Sequence, residues 1–96
     1  MKHAGPDALD ELEPILREIR KLEIEGLIEK KRGTFYHRGN AMLHFHEDPL
    51  GFFADLKVDG EFTRLAVNTK REEAAFLRRA RSALKAAVSR RPKSDA

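Results

Sequence analysis

The chain contains no cysteine. That excludes a disulfide scaffold, a thiol nucleophile and any zinc site built on sulfur ligands. Long apolar runs are also missing, and the longest falls far short of the roughly 20 residues a membrane span requires. No complete catalytic or cofactor motif occurs, so no cofactor is expected. The opening Met1-Lys2-His3-Ala4-Gly5-Pro6 leads into acidic residues rather than an apolar signal segment. These absences lead us to expect a soluble cytoplasmic protein that does not enter membranes.

What is present is enough for one modest core. The 96 residues are 41% hydrophobic, which suits a single domain spanning 1–96, with an ordered part over about 7–90 and a flexible tail at 91–96. The net charge of +3 is unevenly spread. Residues 1–30 carry five basic and eight acidic side chains, residues 31–68 five of each, and residues 69–96 nine and three. The positive charge therefore belongs to the C-terminal segment, which fits either a phosphate-rich partner or a solvated face.

Residues 1–6 read as a frayed leader. From Asp7 onward, Leu9, Leu12, Ile15, Leu16, Ile19 and Leu22 recur at steps of three and four, the stripe of an amphipathic helix. Pro14 interrupts the stripe, so the segment is either a short turn followed by a helix or one kinked helix. Gly26 is a plausible stop. Residues 27–31 fit a short extra strand or a loop, and Lys30-Lys31-Arg32-Gly33 fits a solvated basic turn.

Between Thr34 and Val67 the pattern changes to alternation, with turn signals at Gly39-Asn40, Asp48-Pro49 and Asp59-Gly60. The matching registers set Phe35 opposite His44, His44 opposite Phe53, and Asp55 opposite Arg64. One face then holds Tyr36, Leu43, Phe45, Phe52, Ala54, Leu56, Val58, Leu65 and Val67 as core. The other holds Phe35, His37, Met42, His44, His46, Phe53, Asp55, Lys57, Phe62 and Arg64. Thr69-Lys70-Arg71-Glu72 is a capping box that opens a second helix, with Phe76, Leu77, Ala80 and Leu84 on its buried stripe. The expected fold is α+β, an antiparallel four-stranded meander flanked by an N-terminal and a C-terminal helix, with one sheet face left open.

Four functions compete for that open face. His44 and His46 share a strand face and His37 lies diagonally across the hairpin, so the three could serve as metal ligands, with Asp55 or Glu47 as a nearby carboxylate. Acid–base chemistry could use His44, His46, Glu47 and Asp48, but no serine or cysteine stands beside them as a nucleophile, and no catalytic residue is assigned. Nonspecific nucleic-acid binding could draw on the open-face phenylalanines and on the basic C-terminal helix, against the repulsion of Asp55 and Glu47. The preferred reading is a non-catalytic binding or interaction module. Its surface would be Phe35, His37, Met42, His44, His46, Phe53, Asp55 and Arg64, covered by a second copy in a homodimer, because the apolar patch exceeds what a small monomer exposes.

The arrangement Lys31-Arg32-Gly33-Thr34-Phe35-Tyr36, then Asn40-Ala41-Met42-Leu43-His44-Phe45-His46, then Phe53-Ala54-Asp55-Leu56-Lys57 resembles small bacterial α+β proteins. In layout it is similar to the YjbR/MmcQ-like family over about residues 22–88: a leading helix, a Gly-aromatic strand, further strands and a closing helix. The chain departs from that family in being shorter and in carrying His44-Phe45-His46 where plainer apolar residues belong. The resemblance implies the same α+β layout; the family is discussed as DNA-binding by fold likeness, and nothing of that is carried over to this chain. It implies no catalytic residues.

Overall fold

Pro6 occupies the first turn of helix α1 (Pro6–Lys21), where its missing N–H leaves no hydrogen bond unmade. Pro14 lies inside the same helix, which continues through it. Part of what holds this stretch comes from outside it. Arg32 donates to the Leu9 carbonyl at 3.3 Å and pairs with Asp10 at 2.8 Å and Glu13 at 2.9 Å. The basic turn expected to be merely solvated is therefore a clamp on α1. Arg20 adds a second tie, reaching Glu13 and, through two hydrogen bonds, Glu29.

The computed structural model describes residues 1–90, so the expected tail at 91–96 lies outside the described residues. Strand β1 (Lys2–His3) precedes α1, and β2 (Leu27–Lys31), β3 (Thr34–His37), β4 (Asn40–Asp48), β5 (Gly51–Val58) and β6 (Glu61–Ala66) follow it. Helix α2 (Lys70–Ser89) closes the fold. The five longer strands form an antiparallel sheet in sequence order, and β1 joins β4 beyond the end of β3. The α+β class and the flanking helices are as expected. The strand count is not, since residues 27–31 do form a strand and residues 2–3, read as a frayed leader, form another. The leader is held by Ala4 N–H donating to the Phe45 carbonyl at 3.0 Å and Gly5 N–H donating to Glu47 Oε2 at 2.7 Å.

The three hairpins tested the sequence registers in different ways. Asp59-Gly60 has both φ angles positive, 52° and 85°, and pairs Val58 with Glu61 and Asp55 with Arg64 as expected. The β4–β5 turn moves outward to Pro49-Leu50, so Glu47 faces Phe52 and His44 faces Asp55, not Phe53. That shift is by an even number of residues and leaves every side chain on its expected face.

The β3–β4 turn is the true departure. It uses Arg38-Gly39, at φ 51° and 86°, instead of Gly39-Asn40, and a register break between Phe35 and Tyr36 places Phe35 opposite Leu43. The irregularity turns both Met42 and Leu43 toward the core. Phe35, His37 and Met42, expected on the open face, are buried instead, and Tyr36, expected in the core, takes the other side. Burying Phe35 and Met42 is worth about 1.5–3 kcal/mol each. This outweighs the ~1–2 kcal/mol cost of a non-glycine residue in the left-handed region at Arg38.

Both helices pack on one face of the sheet and touch each other. The core joins Leu12, Ile15, Leu16 and Ile19 of α1 to Phe76, Ala80 and Leu84 of α2 over Leu43, Phe45, Ala54 and Leu56. The Phe45 and Phe76 rings meet edge to face at 5.8 Å. Thr69 Oγ1 caps α2 by accepting from Glu72 N–H at 3.1 Å, while Glu72 reaches back to Asn68 N–H at 2.8 Å. No helix among the described residues is long and apolar enough to cross a membrane.

Candidate functional site on the open sheet face

With both helices on one side, the other side of the sheet is left uncovered. The pairings place Ile28, Tyr36, His44, His46, Phe53, Asp55, Lys57, Phe62 and Arg64 on it, and Lys30 joins them over the Tyr36 ring. His3 joins them because β1 sets it directly opposite His46. Of the eight residues expected to form the working surface, His44, His46, Phe53, Asp55 and Arg64 come together here. Phe35, His37 and Met42 do not.

The histidine trio is therefore a different one. His37 lies at the far end on the helix side, buried, with its Nε2 3.0 Å from the Glu25 carbonyl, to which it donates. In its place stands His3, whose ring centroid is 4.7 Å from that of His46 and 5.6 Å from that of His44. One ring nitrogen from each of His3, His44 and His46 can be chosen so that all lie within 4.8 Å of one another. Periodicity could not find His3, since a two-residue strand has none. Its spatial role comes entirely from the tethering of the chain start to β4.

A buried carboxylate underlies the cluster. Asp55 receives two parallel hydrogen bonds from Arg64, Nε to Oδ1 at 2.7 Å and Nη2 to Oδ2 at 2.8 Å. The Arg64 guanidinium, more than the opposing cost of burial, holds the Asp55 carboxyl below its usual range, so it is an anion at neutral pH. His46 Nε2 stands 3.1 Å from Asp55 Oδ2 and 3.1 Å from His44 Nδ1. A single proton on His46 Nε2 can thus be shared between two acceptors. His46 Nδ1 is buried and has no hydrogen-bond partner among the described residues.

Burial also lowers the His44 pKa, against the pull of Asp55, and favours the neutral imidazole. Around this polar centre lies apolar surface. The Phe62 ring stacks at 5.1 Å from His44 with Lys57 Nζ 5.2 Å from its own centroid, and Lys30 Nζ sits 4.8 Å from the Tyr36 centroid. Phe62 is 45% exposed and Ile28 61%.

A second feature lies at the opposite end of the sheet, between α2 and the ends of β3–β5. It is a cleft of about 630 Å³ floored by Met42, Val58 and Ala83 and rimmed by Arg38, Lys57 and Arg79. Comparison with protein-family models, with curated proteins and with solved structures gives no match.

Proposed function

We propose that the protein is a non-catalytic, cytoplasmic binding module that works through the open face of its sheet, and that a second copy of the chain covers this face. The observation that carries the reading is that both helices pack on one side of the sheet while Phe62 and Ile28 remain exposed on the other. The apolar surface differs in membership from that expected, with Tyr36 and Ile28 in place of Phe35 and Met42, but it persists. Burying each exposed large side chain contributes about 1.5–3 kcal/mol, and a two-fold pairing buries each of them twice. Lys30, Lys57 and Arg64 beside Asp48 and Asp55 give the face both signs of charge, which suits a self-complementary contact.

Sedimentation velocity over a concentration series, in buffer containing a chelator, tests the pairing. The wild type should sediment as a dimer and Phe62→Asp as a monomer. A wild type that stays monomeric at every concentration would overturn the reading.

A second reading has its own observation. On α2, Arg71, Arg78, Arg81 and Lys85 are exposed and make no salt bridge within the described residues, and Arg79 continues that charge onto the rim of the cleft. This supports nonspecific association with nucleic acid. Affinity for a mixed-sequence DNA duplex should then fall steeply with salt and drop in the Arg78→Glu/Arg81→Glu double variant. A flat salt response counts against it.

A further inference from the structure

We propose that His3, His44 and His46 form a binding site for one divalent transition-metal ion of the zinc class. The inference uses the same face as the binding-module reading but does not depend on its dimer.

The first ground is convergence. An ion held tetrahedrally by imidazoles at about 2.0–2.1 Å keeps its ligand nitrogens roughly 3.4 Å apart. His44 Nδ1 and His46 Nε2 already stand at 3.1 Å. The full set closes from within 4.8 Å, and the movement required falls on His3, the exposed member, carried on a two-residue strand. Two ligands are preset by the sheet and the third is free to adjust.

The second ground is an imbalance in the hydrogen bonding. Asp55 Oδ2 and His44 Nδ1 both face the one nitrogen of His46 that can offer them a proton. The point where these three atoms meet thus gathers more lone pairs than protons, which a cation would redress.

The third ground is charge. Asp55 supplies a carboxylate beside two of the ligands, fixed in position by the bidentate contact from Arg64. Its Oδ2 lies 3.1 Å from the His46 nitrogen that would ligate, so it offsets the charge of the ion at close range. Nitrogen donors select zinc, nickel, cobalt or copper(II) over calcium and magnesium, which demand shells of oxygen. Three histidine ligands leave a fourth position open.

The test uses untagged, chelator-stripped protein, titrated with Zn(II) by calorimetry and with Co(II) by visible absorption. One ion per chain is expected, with the intense visible bands of four-coordinate cobalt. His3→Ala changes an exposed side chain, so its fold should be retained, as circular dichroism will report. It should weaken binding by at least the roughly 10–100-fold seen when a mere hydrogen-bonding neighbour of a ligand is lost. His37→Gln should leave affinity unchanged. No binding by the wild type, or equal affinity in His3→Ala, would overturn the site. Because oligomeric state is measured separately in chelator, either proposal can fail without the other.

Discussion

On the helix-covered face, Leu43, Phe45, Ala54 and Leu56 are at most 2% exposed and bring no polar side-chain atom. Between them along the same two strands stand His44, His46, Phe53 and Asp55, and on that other side His44, His46 and Asp55 are joined by ion pairs and hydrogen bonds. Strand geometry alone separates the two sets by a single residue step. One set is chosen for shape and the other for chemistry. A fold that needed only a core would gain nothing from a carboxylate held nearly out of water beside two imidazoles, and buried charge is weak as a source of stability. The polar set is therefore where function should be sought.

The largest expected effect lies in comparing one residue from each side. Leu56→Ala should cost about 2–5 kcal/mol in urea unfolding, through lost burial and the cavity left behind. Phe62→Ala, although it removes a larger side chain, should cost less than ~1 kcal/mol in the monomer, because Phe62 is already 45% exposed. Equal costs would mean that the open face is packed as a second core.

Arg64→Ala should come next. It leaves the nearly buried Asp55 carboxylate without its two parallel donors. The Arg64 side chain is 49% exposed, so solvent screens the pair and the loss should stay below that of Leu56→Ala. A loss no greater than that of a typical surface substitution would show that water replaces the arginine freely.

The smallest effect is electrostatic and belongs to the covered side. Hydrogen bonds from Arg20 lower the Glu29 pKa in the folded state. Its contribution is therefore fully present above the ordinary carboxylate value and lost as pH falls through the lowered one. Comparing wild type with Glu29→Gln, the stability difference should shrink on acidification below about pH 4.5 and vanish at lower pH. A difference that is constant with pH would deny the pair any role.

The degree to which these faces could be read in advance varied along the chain for physical reasons. Asp59-Gly60 specifies a two-residue turn and thereby the Asp55–Arg64 pair. The Pro49-Leu50 turn was misplaced, but parity protected the faces. At β3–β4, Arg38-Gly39 and Gly39-Asn40 are both acceptable turns by local preference. Burial of Phe35 and Met42 decided between them, and burial depends on helices distant in sequence. This is why alternation alone puts His37 on the open face while the fold buries it on the other. His3 was illegible for another reason, since a two-residue strand exists only through its contacts with Phe45, His46 and Glu47. The amphipathic stripes of both helices and the Thr69 cap needed no such context and were plain from the residues themselves.

On this proposal the chemical centre of the molecule is the point on the open face where His3, His44 and His46 meet. Titration of the ¹⁵N-labelled protein with one equivalent of Co(II), followed by amide spectra, tests it most directly. Paramagnetic broadening should centre on His3, His44, His46 and Asp55, and fade across the sheet toward α1 and α2. Broadening centred on His37 or scattered over the acidic residues of α1, or none at all, would contradict it.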